Sequence, residues 1–304
     1  MVRDNVPDTA PNCPLSGAGD THHHAARMGT VHDADNAATQ SFWWNRQSQP
    51  LAIPMLSAVI FDVDGTLADT ERDGHRLAFN AAFATHGLDI SWGVEEYGRL
   101  LKTTGGRRRI AGDLRARGFG ADADELAEQI HHTKTALFRD WILAGEIMPR
   151  PGLLSLVMGL LDQGICIAVA TTGRRAWVEP LLGHLLDGGI VETVVTGDDV
   201  VRLKPHPEVY LRALDNLGMS PESGLAIEDS ANGLRAATSA GLATVVVTTD
   251  YTADQDFTGA AMVRSSYDGM EPLSAANCRR VHRQWWTTAK TPRDDSVRRP
   301  WSVS

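Results

Sequence analysis

Asp62 and Asp64 end an apolar run, Ala58-Val59-Ile60-Phe61, and are followed by Gly65-Thr66-Leu67. A run of this kind reads as a strand buried on both faces, and charges at its end are costly as plain structure. Residues two apart in extended backbone point to the same side, so the two carboxylates share a direction. Gly65 then lets the chain turn away, including through positive φ. Three further elements follow in order. Thr171 and Thr172 succeed the apolar stretch 165–170, Lys204 lies in Leu203-Lys204-Pro205-His206-Pro207-Glu208, and Glu228-Asp229 follows Leu225-Ala226-Ile227. Each acid or hydroxyl stands where a buried strand empties into a loop, and in an open α/β sheet such ends converge on one crevice. Carboxylates gathered there repel one another unless a cation holds them, and an oxygen-only set favours Mg²⁺. A hydroxyl and a lysine beside that cation suit a dianionic phosphoryl group, whose transfer needs positioning and charge neutralisation.

The elements that must position these groups read as follows. Residues 70–149 are mostly helical, with 3.6-residue spacing punctuated by Gly87, Gly105-Gly106 and Gly118 and closed by Pro149 and Pro151-Gly152. From there helix and strand alternate. Helices are expected at 153–161, 178–186, 207–217 and 232–240, and strands at 165–170, 193–196, 225–227, 244–247 and 262–263. That alternation predicts a doubly wound parallel sheet of the α/β class, interrupted after its first strand by a helical cap. The expected organisation is a core of 55–70 and 150–272, a cap at 71–149, an N-terminal extension 1–54 and a polar, basic tail 273–304. The extension lacks sustained periodicity, and Met28 or Met55 is a candidate start of translation. No amphipathic helix is evident in the tail, where Arg279, Arg280, Arg283, Arg298 and Arg299 accompany Trp285, Trp286 and Trp301.

Bulk properties exclude several classes. A net charge of −9 argues against nucleic acid. No apolar stretch spans a bilayer, since 153–170 is broken by Asp162, Gln163 and Gly164. Three cysteines without metal-ligand spacing suit a reducing cytoplasm, with Cys166 a small core residue. A soluble monomer or weak dimer is expected.

The order Asp-x-Asp-Gly-Thr, Thr, Lys-Pro-x-Pro, Glu-Asp resembles the haloacid dehalogenase (HAD) superfamily over roughly residues 57–270. The resemblance implies that Asp62 is a nucleophile forming an aspartyl-phosphate and that Asp64 is the general acid, then base. It also implies that Thr171 bonds a phosphoryl oxygen, that Lys204 neutralises it, and that Asp62, the Asp64 carbonyl and Asp229 bind Mg²⁺, with Glu228 assisting. The carboxylate at 64 separates the chain from the founding dehalogenases.

Within the superfamily, Thr70-Glu71, His75-Arg76-Leu77-Ala78-Phe79-Asn80 and Leu101-Lys102-Thr103-Thr104-Gly105-Gly106-Arg107-Arg108-Arg109-Ile110 look like CbbY. So do Ala168-Val169-Ala170-Thr171-Thr172 and Ile227-Glu228-Asp229-Ser230-Ala231-Asn232-Gly233-Leu234. Two features depart from that pattern: the spacer before His75 is one residue longer, and Arg107 stands where relatives often carry lysine. The resemblance implies a phosphatase of small phosphorylated sugars, such as xylulose-1,5-bisphosphate. Glu71, His75, Arg107, Lys134 and Thr172 are its expected substrate contacts. Arg108 and Arg109 are expected to be solvated, and Asp69, Asp73 and Asp199 to be solvated or capping. A β-phosphoglucomutase-like mutase and a non-catalytic sugar-phosphate binder are the alternatives.

Overall fold

The run Ala58-Val59-Ile60-Phe61 offers apolar side chains to both faces, so it is stable only when covered on both sides. In the computed structural model, which describes residues 55–289 except 104, 187 and 188, it is the fully buried strand β1 (Ala58–Phe61). The other strands are β2 (Cys166–Ala170), β3 (Val191–Val195), β4 (Gly224–Glu228), β5 (Ala243–Val247) and β6 (Met262–Arg264). All pairs are parallel, in the order β3-β2-β1-β4-β5-β6. The chain therefore reverses its direction of travel across the sheet between β1 and β4, and the crevice lies at their C-terminal ends. Register aligns the chemistry there: Phe61 pairs with Val169 on one side and Ile227 on the other. Asp62 thus leaves β1 level with Ala170 and Glu228.

Alternation divides the core between the two faces. Val59, Phe61, Ile167, Val169, Leu225 and Ile227 face α5 (Leu153–Leu161), α6 (Arg175–Leu185) and α9 (Ala275–Ala289). The smaller Ala58, Ile60, Ala168, Ala170 and Ala226 face α7 (Glu208–Leu217) and α8 (Ala231–Ser239), with Cys166 buried among them. Among the described residues, no helix is long and apolar enough to cross a membrane.

Between β1 and α5 the chain is helical: α1 (Arg76–Thr85), α2 (Val94–Leu100), α3 (Gly106–Ala116) and α4 (Ala123–Leu143). Phe79, Phe83, Trp92, Tyr97, Ile110, Leu114 and Ile130 form a hydrophobic cluster inside this block. Asn80 fixes Trp92 from both sides, accepting from its N–H at 2.8 Å and donating to its carbonyl at 3.1 Å. The block begins with a π-helical turn, Thr70–His75, whose N-terminus is capped by the Asp69 carboxylate accepting from Arg72 N–H.

The tail corrects the sequence reading: residues 275–289 form helix α9 rather than an irregular segment. Its buried positions are Ala275, Cys278, Val281 and His282, with Trp285 packed beside them. Small or polar side chains on that face hide the period from hydrophobicity alone. His282 pairs with the Glu222 carbonyl at 2.8 Å, so even its polar ring is satisfied. The extension 1–54, including Cys13, and the end of the tail with Arg298, Arg299 and Trp301 lie outside the described residues.

Candidate active site

Lys204 is the centre of the crevice. Its Nζ donates to Asp62 Oδ1 and Glu228 Oε1 at 2.6 Å each and to the Ala170 carbonyl at 2.8 Å. Burial alone would lower its pKa, but the charges of Asp62 and Glu228 carry it above the ordinary lysine value. Tyr210 donates to the same Glu228 oxygen at 2.6 Å. Asp62, Glu228 and Asp229 are all buried, and each offers an oxygen within 4.8 Å of the others. Burial first, then the charges of Glu228 and Asp62, push Asp229 well above the ordinary carboxylate range. No hydrogen bond or ion pair from the described residues reaches its carboxylate.

Two glycines make room for this cluster. A Cβ on Gly65, whose φ is +78°, would lie 2.3 Å from Asp229 Oδ2. A Cβ on Gly233 would lie 1.9 Å from the Glu228 carboxylate. The backbone after Asp62 is equally committed. The Val63 carbonyl accepts from Thr66 and Leu67 N–H, Gly65 from Arg150 Nη1, Thr66 from the Tyr267 hydroxyl, and Leu67 from Arg150 N–H. Among the described residues nothing donates to the Asp64 carbonyl. A buried, oxygen-only set of three carboxylates, with an unengaged carbonyl two residues along the chain from Asp62, fits a hard divalent cation of the Mg²⁺ kind.

Asp64 occupies a different environment. Thr70 donates its hydroxyl to Asp64 Oδ1. Burial, then the charges of Asp62 and Glu71, raise its pKa to about 7. His75 Nε2 lies 4.0 Å from Asp64 Oδ1, while Lys134 Nζ lies 2.8 Å from His75 Nδ1. Burial, then the Lys134 charge, holds the imidazole well below its ordinary pKa, so it is neutral. With Nδ1 accepting from the ammonium, Nε2 carries the proton and faces Asp64. Lys134 is itself buried, and that lowers its pKa to about 8. Phe79 and Phe138 lie beneath its ammonium at 4.9 and 4.8 Å.

Thr171 is fully buried after β2 and accepts from Gly173 N–H at 3.0 Å; Thr172 follows it, half-buried. Glu71 Oε2 accepts from the Tyr97 hydroxyl at 2.5 Å. Arg109 then reaches Tyr97 Oη at 3.0 Å and the Leu100 carbonyl at 3.2 Å. Its guanidinium lies 5.1 Å from the Tyr97 ring centre and 5.8 Å from that of Phe79. The sequence reading of Arg109 as solvated is therefore corrected: it is buried, held by an aromatic pair that charge patterning does not reveal. Arg107 is exposed on α3 and pairs with Glu128 at 3.2 Å. Asp199 caps its own turn, accepting from Thr196 N–H at 2.7 Å, as expected.

The sequence pattern of the haloacid dehalogenase-like hydrolases matches residues 56–241, the stretch that carries β1, the helical block and the crevice. The chain belongs to that family. It is 43% identical over 208 residues to protein CbbY of Rhodobacter capsulatus, covering 67% of this chain and 91% of the relative. Protein CbbY of Cereibacter sphaeroides is 44% identical over 217 residues, covering 70% and 93%. A crystal structure of a CbbY mutant from Rhodobacter sphaeroides in complex with xylulose-1,5-bisphosphate superposes with a TM-score of 0.62 at 41% identity, covering 74% of this chain and 99% of that one. The β-phosphoglucomutase of Clostridium difficile shares the fold, with a TM-score of 0.56 at 22% identity, covering 77% and 100%. This haloacid dehalogenase-like hydrolase is a phosphatase.

Proposed function

We propose that the enzyme is a Mg²⁺-dependent phosphatase of small phosphorylated sugars that works through a phosphoryl group carried on Asp62. The observation that supports this reading best is the buried set of Asp62, Glu228 and Asp229 with Lys204 bonded to two of its members. Asp62, Asp229 and the Asp64 carbonyl would hold the cation, and Glu228 would balance Lys204. When bound, Mg²⁺ supplies positive charge that offsets the repulsion between the incoming phosphoryl dianion and the carboxylates.

The side chains then divide the work. Asp62 attacks phosphorus and the bond to the sugar oxygen breaks. Asp64, which its surroundings keep protonated to about pH 7, gives its proton to that oxygen. The sugar leaves as an alcohol. Asp64, now a carboxylate, takes a proton from a water that attacks the phosphoryl group, so phosphate departs and Asp62 is restored. Lys204 and Thr171 neutralise and orient the phosphoryl oxygens, with Thr172 beside them. The neutral His75, with its Nε2–H toward Asp64 and Lys134 behind it, orients the acid rather than competing for its proton.

We assign the helical block the role of a lid over the sugar, with Glu71 and Lys134 as its polar contacts. The complex of the CbbY relative with xylulose-1,5-bisphosphate supports a bisphosphate as substrate. Arg107 is then the group for the distal phosphate. It lies in the first turn of α3 beside Gly106, whose space is bounded by Phe79 and His131. Its pairing with Glu128 is exposed, so exchange for a phosphate costs little. Acid-quenching the enzyme during turnover and mapping its peptides tests the covalent step. A phosphoryl adduct on the Asp62 peptide is expected, and it should be absent from Asp62→Asn. Turnover without an adduct, or retained activity in Asp62→Asn, would refute the covalent reading.

A further inference from the structure

Arg150 stands where the helical block rejoins the sheet, between Pro149 and Pro151-Gly152. Its guanidinium bonds to no carboxylate among the described residues. Instead it donates to four carbonyl oxygens: Gly65 at 2.6 Å and Val247 at 2.7 Å through Nη1, Thr248 at 2.7 Å and Ser265 at 3.2 Å through Nη2. Those acceptors come from three segments: the loop after β1, the end of β5 and the end of β6. The Arg150 backbone N–H adds a bond to the Leu67 carbonyl at 2.8 Å. Tyr267, whose ring lies 5.6 Å from the guanidinium, donates its hydroxyl to Thr66 O at 3.0 Å. Three consecutive carbonyls, Gly65 to Leu67, are thus fixed by two residues that lie far along the chain.

We propose that Arg150 is a positioning residue that fixes the Asp62–Asp64 loop for cation binding by gathering the carbonyls around it. The proposal rests on the Mg²⁺ reading above. The physical reason is geometric. Gly65 is held against Asp229 so closely that a Cβ there would lie 2.3 Å from its oxygen. The Gly65 carbonyl that Arg150 holds and the Asp64 carbonyl belong to adjacent peptide units joined at the Gly65 Cα, so pinning the first, with that Cα packed against Asp229, narrows the φ and ψ through which the second can move. A planar fork with five N–H donors can hold that peptide and two strand ends at once. A lysine ammonium, with three donors on one atom, has no such reach. Because Arg150 also ends the helical block, the second connection between block and core is tied to the loop that would hold the cation.

The test is Mg²⁺ binding by titration calorimetry on the full chain, paired with kcat and KM as functions of Mg²⁺. Three variants are compared with wild type: Arg150→Met, Arg150→Lys and Tyr267→Phe. Both Arg150 variants are expected to weaken Mg²⁺ binding by about tenfold or more, the size usual for groups that orient metal ligands. kcat at fixed Mg²⁺ should fall with it, KM for the sugar phosphate should change less, and lysine should not rescue. Tyr267→Phe should shift Mg²⁺ binding in the same direction by a smaller factor. A merely structural role would lower thermal stability and leave the Mg²⁺ midpoint of the folded fraction at the wild-type value; that result overturns the proposal. If Arg150→Met does not fold, an unchanged midpoint in Arg150→Lys and Tyr267→Phe overturns it equally. Failure of wild type itself to bind Mg²⁺ removes the metal reading and this proposal together, whereas equal binding by wild type and variants removes this proposal alone.

Discussion

Asp62 and Asp64 are the same chemical group two residues apart, and their neighbours give them different work. Asp62 faces the Lys204 ammonium at 2.6 Å. Asp64 has a hydroxyl and a neutral imidazole beside it and is raised to about pH 7 by burial and the charges of Asp62 and Glu71. One is suited to attack and the other to donate. Asp64→Ala should therefore slow hydrolysis of the phosphorylated enzyme by about 10²–10⁴-fold while still allowing Asp62 to be phosphorylated; quenched-flow peptide mapping measures both steps. Lys134 offers a test that reads stability alone. Burial, only partly offset by Glu71 and Asp64 and reinforced by Arg109, lowers its pKa from the ordinary 10.5 to about 8. Between those values the unfolded chain holds a proton that the folded chain has lost, so this group adds stability as pH rises through the window. Wild type should gain about 3 kcal/mol relative to Lys134→Met between the two pH values, by urea unfolding. A constant difference would show that Lys134 ionises normally.

At the scale of elements, the strand ends were legible because a buried apolar run that stops at a charge has few cheap explanations. Asp62, Thr171 and Glu228-Asp229 could be placed from that signal, and Lys204 from its position before a helix. The block residues were less legible. Three consecutive arginines open α3, and charge alone cannot say which is buried; Tyr97 and Phe79, distant in sequence, select Arg109. The gathering of carbonyls by Arg150 is also silent in sequence, since the acceptors are backbone atoms that every residue has. Helix α9 escaped for a related reason: its inward face mixes alanine, cysteine and histidine with a single buried valine. Glycine is the exception, because its role is set by space. Gly233 opens the first turn of α8 under a Glu228 carboxylate already fixed by Lys204 and Tyr210, so it cannot yield to a methyl group. Gly233→Ala should cost about 1–3 kcal/mol of stability and most of the activity. Unchanged melting and turnover would mean that Glu228 is not held as described.

For the molecule as a whole, the proposed function makes the sheet the base and the helical block the lid. The block meets the core through the packing of His75 and Phe138 on Trp177, with ring centres 6.1 and 5.7 Å from the indole. On its other side Arg72 pairs with Asp250 at 2.8 Å, while Tyr97 meets Tyr251 edge-on at 5.8 Å. The ion pair is exposed and contributes about 0–1 kcal/mol, so it would break at little cost if the block moved. In the proposed reading the block would open to admit a polar sugar, close to exclude bulk water and open again to release both products.

The central claim is most directly tested by phosphate release from a panel of sugar mono- and bisphosphates, with Mg²⁺ and with EDTA. Release that requires Mg²⁺, with preference for a ketopentose bisphosphate that is lost in Arg107→Ala, is the expected result. Turnover of monophosphates alone would keep the phosphatase and discard the bisphosphate. Release undiminished by EDTA, or conversion of a sugar phosphate to its isomer with almost no free phosphate, would contradict the account.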